Sequence, residues 1–154
     1  MKKITFVLLS LLMASISLMA QTTKPETGLV NKTNCGSFWR FDFNYETIDA
    51  DGETPIVLSA AIFMTNSVYS KTVKAKGCGL LNHYTISDDK SRPTNVSSFA
   101  TLEGLLSNTN YIIIESDGFG FGIDVKRNQK YLQGRATARV NIDAFIAGRK
   151  ILDD

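Results

Sequence analysis

The hydrophobic pattern changes style partway along the chain, and that change restricts the fold more than any other feature. From Phe38 to Ile48 the residues alternate, with Trp39, Phe41, Phe43 and Tyr45 on one face and Arg40, Asp42 and Asn44 on the other. Successive side chains of a strand point to opposite faces, so this stretch predicts a half-buried strand. Asp49–Gly52, "DADG", supplies turn chemistry, and Ile56–Thr65 is a second apolar strand, so the two predict an antiparallel hairpin. Farther on, Cys78–Leu81 and Tyr111–Ile114 are short apolar runs without alternation. Such runs suit strands covered on both faces, as in a parallel sheet.

Between those runs lie a long loop, His83–Ser98, and a short helix candidate, Phe99–Leu106. A glycine-rich loop, "DGFGFG" (Asp117–Gly122), follows the second run. In Thr137–Leu152, Val140, Ala144, Ala147 and Ile151 recur at helical spacing, which predicts an amphipathic helix. The order hairpin, strand, helix, strand, helix argues for an α/β sheet with an antiparallel edge. A crossover helix normally returns the chain to the sheet, yet the sequence stops just after the last helix. A central part of the sheet is therefore expected to lie outside these residues.

The N-terminus reads as a secretory signal peptide. Lys2 and Lys3 precede an apolar run from Ile4 to Leu12 that continues in small and apolar residues to Ala20, so cleavage is expected before Gln21. The run is too short for a convincing spanning helix, and no cysteine follows the cleavage point to carry a lipid, so no stable membrane anchor is expected. The expected compartment is periplasmic or extracellular. Residues 21–36 are polar, carry Pro25 and Gly28, and show no period through Asn34, which predicts a loose leader before a single domain over residues 37–154. Seventeen Lys and Arg oppose fifteen Asp and Glu, and the excess is Lys2 and Lys3. The remainder is formally neutral, and Lys71, Lys74 and Lys76 read as a solvated loop, which argues against a nucleic-acid partner. Cys35 and Cys78 are the only two cysteines; an oxidising compartment permits a disulfide between them, and a free pair is equally consistent.

Candidate chemistry is sparse. His83, the sole histidine, follows an apolar strand at the start of the long loop, where the carboxyl ends of parallel strands meet ligands. A general base needs a nucleophile and an orienting acid, so a structural hydrogen-bonding role is the simpler reading. Cys78, five residues earlier, falls on the opposite face of an extended strand, which argues against a thiol–imidazole dyad. Gly118, Gly120 and Gly122 resemble a dinucleotide loop, but Ile123 stands where the third glycine should fall and no helix opens there. A tight turn that brings backbone close to another loop, with Asp117 hydrogen-bonding the turn, accounts for the motif. No metal-ligand spacing, phosphate loop or G-x-S-x-G elbow occurs, Ser59 in "VLSAAI" sits mid-strand, and neither cofactor nor metal is expected.

Several segments taken together, "YETIDADGETPIVLSAAIF", "GLLNHYTISDDKSRPT", "NYIIIESDGFGFG", "KYL" and "IDAFIAGRKIL", resemble the N-terminal half of secreted serine α/β-hydrolases of the secretory-lipase and prolyl-peptidase-like kind. The resemblance runs from about Tyr45 to Leu152 and implies an incomplete α/β-hydrolase-like sheet: an antiparallel hairpin, two parallel-type strands and two or three helices. It also implies that the loop after the third strand of that fold, here His83, Tyr84 and Thr85, lends a backbone N–H to an oxyanion hole. Tyr84 stands where the family has glycine, and Gln129–Leu132, "QKYL", keeps only the second half of the family's His-Pro-Tyr-Leu. The family's Ser, Asp and His would all follow the second helix, so no catalytic residue is assigned here. The implied function is that of an N-terminal fragment, inactive alone, with a complementing C-terminal half or a second copy as partner through open strand edges. Two other readings are a non-catalytic exported binding module, with contacts at Trp39, Phe119 and Phe121, and a cysteine enzyme using Cys78.

Overall fold

The computed structural model describes residues 25–82, 88–98, 101–129 and 133–154. The predicted hairpin is its centre. Strands β2 (Phe38–Ile48) and β3 (Pro55–Thr65) pair antiparallel along their whole length, from Phe38 opposite Thr65 to Ile48 opposite Pro55. Their turn is built by Asp51, whose carboxylate accepts from the amides of Glu53 and Thr54 and from the Thr54 hydroxyl. Gly52, at φ +84°, supplies the left-handed residue the turn requires.

The expected loose leader is partly ordered. Gly28–Asn34 forms strand β1, antiparallel to β2, with a register shift between Leu29 and Asn31. An edge strand gains mostly backbone hydrogen bonds, so a polar segment without apolar period serves; Lys32 lies over the Phe41 ring, 5.4 Å from its centroid.

Beyond β3 come a single helical turn α1 (Asn66–Tyr69), strand β4 (Gly77–Leu80), helix α2 (Leu102–Ser107), strand β5 (Tyr111–Ser116) and helix α3 (Gly134–Asp153). The Thr101 hydroxyl caps α2 by accepting from the Gly104 amide, so the helix starts later than its apolar residues suggest. The sheet order is β1-β2-β3-β5-β4: β5 enters between β3 and β4, antiparallel to the first and parallel to the second. The two uninterrupted apolar runs are thus the parallel pair. Among the described residues β4 has no strand on its outer side, and Leu80 is 41% exposed there.

Two cores flank the sheet. On one face Phe41, Phe43, Tyr45, Leu58, Ile62 and Ile114 pack under Val140 and Ala144 of α3, with Ala147 and Ile151 at the margin. Gly148 lets the helix backbone come close, since a Cβ there would lie 2.9 Å from Ile114 Cδ1 and 3.2 Å from Phe43 Cζ. The other face of β2 is also covered, contrary to the half-buried expectation. Arg40 Nε donates to Asp42 at 2.8 Å, its Nη1 donates to the Val96 carbonyl at 2.6 Å, and Phe38, Phe63, Val96 and Ile113 close the second core. Pairing and hydrogen bonding let this polar face be buried.

Cys35 and Cys78 are both free. Cys35 packs with the second core and Cys78 with the first, so the sheet stands between them and the expected possible disulfide is not formed. No described helix is long and apolar enough to cross a membrane. The signal-peptide reading concerns residues outside those described.

Candidate functional site

Parallel strands β4 and β5 end on the same side of the molecule, and the polar contacts concentrate there. The β5 chain leaves the sheet at Ser116, whose hydroxyl pairs with the Tyr45 hydroxyl at 2.6 Å and accepts from the Gly118 amide at 2.9 Å. Next to it, the fully buried Asp117 side chain gathers three elements. Its carboxylate accepts from Ser59 Oγ of β3 at 2.5 Å, and from the amide and hydroxyl of Thr94 at 2.9 and 2.6 Å, while Arg92 Nε stands 3.9 Å away. Burial raises the Asp117 pKa above the ordinary carboxylate range, opposed by those donors and by Arg92.

Thr94 belongs to the loop between β4 and α2, which the structure shows as two short 3-10 turns, Asp89–Ser91 and Pro93–Asn95. Asp89 pairs with Arg92 and accepts from the Gly122 amide at 2.7 Å. The sequence suggested that Asp117 hydrogen-bonds its own turn; among the described contacts its carboxylate instead ties the loop to the sheet. The glycines make room for this. Gly118, Gly120 and Gly122 all have positive φ, and a Cβ on Gly122 would fall on Ser59 Oγ and Asp117 Oδ2. A Cβ on Gly120 would lie 2.9 Å from the Gln129 amide nitrogen.

His83, Tyr84 and Thr85 lie outside the described residues. Asn82, just before them, accepts from Asn141 Nδ2 of α3 at 2.6 Å, which anchors the start of that loop at the end of β4. Ser59 donates to the buried Asp117 carboxylate, and among the described residues no imidazole stands between them. Burial likewise pushes the Cys78 thiol up, with Arg149 only partly opposing, which disfavours a thiolate nucleophile. No cluster of three or more metal-liganding side chains occurs among the described residues. Phe119 and Phe121 are buried, and Trp39 packs against Tyr69 with centroids 4.5 Å apart and ring planes tilted by 37°, so the aromatics assigned to a binding module serve packing.

Sequence reasoning missed the partners that make Asp117 a junction, namely Ser59, Thr94 and Arg92, because they lie 58, 23 and 25 residues from it and no local period links them. It also missed Glu103 and Glu115, although a glutamate ending the run "YIII" was a visible irregularity.

A mixed sheet with an antiparallel hairpin, an inserted parallel pair, helices on both faces and glycine-rich turns at the strand ends is a partial α/β-hydrolase-like fold. Solved structures agree. The chain is similar to the rice cell wall degrading esterase LipA from Xanthomonas oryzae, with a TM-score of 0.55 and 17% identity, covering 87% of this chain and 38% of that one. A ligand-bound form of the same esterase gives 0.53, 18%, 87% and 39%, and a further crystal structure gives 0.51, 19%, 91% and 34%. The chain thus spans well under half the length of these esterases, and at such identity the likeness shows the fold. No protein-family model matches the chain, and no curated protein does.

Proposed function

We propose that this chain supplies the opening strands and the oxyanion-loop side of an exported serine hydrolase of the esterase, lipase or peptidase type, and that these 154 residues alone turn over no ester. The observation that carries this reading is the sheet order, in which β5 lies between an antiparallel β3 and a parallel β4 whose outer edge is open among the described residues. The likeness to LipA esterase supports the same assignment. Acyl transfer needs a nucleophile, a base and donors aimed at the developing oxyanion. The 154 residues contain no G-x-S-x-G, and their one histidine falls in the loop after β4, the segment that would offer backbone donors. Donors stabilise an oxyanion only once a nucleophile has created it, so the Asp117 junction holds a loop ready for chemistry that another segment performs.

The partner is a complementing C-terminal hydrolase half, which would add a strand along β4 and cover Leu80; self-association through the same edge is the competing use of it. The test is to purify the chain and treat it with a fluorophosphonate probe and p-nitrophenyl esters. No labelling and hydrolysis at the buffer rate are expected. A serine labelled above the denatured control overturns the assignment of inactivity. Sedimentation tests the edge: concentration-dependent association that Leu80→Lys reduces is expected, whereas a monomer at all concentrations with a single cooperative unfolding transition supports a self-sufficient module instead.

A further inference from the structure

Helix α2 packs on strand β5, and each element buries a carboxyl group. Glu115 is 0% exposed and Glu103 is 1% exposed, and both oxygens of Glu115 together with Oε2 of Glu103 have no hydrogen-bond partner among the described residues. A buried carboxylate without partner or counter-ion costs several kcal/mol, of the order of a whole domain's stability margin. The described cations near this face are committed elsewhere. Arg40 of β2 holds Asp42 and the Val96 carbonyl, and Arg92 of the β4–α2 loop holds Asp89 and Thr94 beside Asp117. Asp117, just beyond the end of β5, adds a further negative group. Of the remaining polar groups of α2, the Ser107 hydroxyl donates to the Gly104 carbonyl.

We infer that Glu103 and Glu115 share a proton and that this acid pair fastens α2 to β5, so that removing the proton loosens the helix from the sheet. In the closed state one carboxyl O–H donates to an oxygen of the other group. Hydroxide removes that proton as water and leaves two facing carboxylates, which repel in a dry environment. Burial above all, then Glu103 and Asp117, pushes Glu115 up to about 9, in the direction this arrangement requires. The inference concerns the hinge of α2 on the sheet and stands apart from the hydrolase assignment.

Isotope-edited infrared spectroscopy of the full chain tests it directly. A protonated carboxyl stretch is expected at pH 7, disappearing as the pH approaches 10, and absent at pH 7 in Glu115→Gln. Hydrogen exchange supplies the structural readout: amides of Leu102–Ser107 should lose protection at least tenfold between pH 7 and 10 beyond the intrinsic rate change, and this loss should vanish in the variant. If Glu115→Gln does not fold, Glu103→Gln makes the same comparison, and the wild-type spectrum stands without either. The inference fails if the folded wild-type chain shows no protonated carboxyl at pH 7, or if exchange of α2 has the same pH dependence with and without Glu115.

Discussion

Gly122→Ala should injure this protein more than any other single methyl group added to the glycine loop. The residue sits at φ +59°, and a Cβ there would fall on Ser59 Oγ and Asp117 Oδ2, the two atoms joined by the 2.5 Å hydrogen bond between β3 and the loop. An L-residue in the left-handed region costs about 1–2 kcal/mol. Breaking a hydrogen bond to a buried carboxylate adds about 1.5–3 kcal/mol, and the reduced freedom of the unfolded chain returns about 0.4–1 kcal/mol. The net loss is about 3 kcal/mol, a large part of an ordinary domain's roughly 5–15 kcal/mol. Gly118→Ala is the control, because its φ of +79° is equally left-handed while nothing lies within 4 Å of the added Cβ. Backbone strain alone then applies, about 1 kcal/mol. Urea denaturation of both variants reads the difference; at an m-value of about 1–3 kcal/mol/M the Gly122 variant should unfold about 1–3 M earlier than wild type. Equal losses for the two variants would refute the reasoning, since they would show that φ matters and the Ser59–Asp117 contact does not.

Further expectations follow from the same packing. Arg40→Ala takes the cation from the mostly buried Asp42 and the stronger donor from the Val96 carbonyl, and should cost about 2–4 kcal/mol in urea unfolding, with partial recovery when Asp42→Leu removes the orphaned charge. Gly148→Ala should destabilise by about 1 kcal/mol, because crowding Ile114 and Phe43 outweighs the gain of about 1 kcal/mol in helix propensity; a stability gain would mean that α3 is not seated as described. Stability should also fall as the pH rises from about 5 towards 9. Glu115 keeps its proton in the folded state up to about 9 and loses it near 4.5 when unfolded, so the advantage is fully present below 4.5 and is lost as pH climbs through the folded value. Thermal unfolding of Glu115→Gln over that window should show a flatter profile.

The hairpin, the two apolar runs and the last helix were legible because each obeys a local period: two for β2, uninterrupted apolarity for β4 and β5, and helical spacing for Val140, Ala144, Ala147 and Ile151 in α3. Strand β1 was not legible, because an edge strand recruits its partner through backbone groups that every residue carries. The glycine loop was recognisable as a turn, yet the partners of Asp117 were not, since Ser59 and Thr94 reach it only after β5 has inserted beside β3. Burial of Arg40 and Asp42 was equally hidden: alternation in β2 marked a polar face, and only the β4–α2 loop folding over it made that face interior. By itself, then, the sequence determined which segments extend, which coil and where the chain turns, because these depend on neighbours a few residues apart. Strand order, the separation of the two cysteines by the sheet and the burial of Glu103 and Glu115 were decided by tertiary structure, because only long-range packing chooses which polar groups become interior.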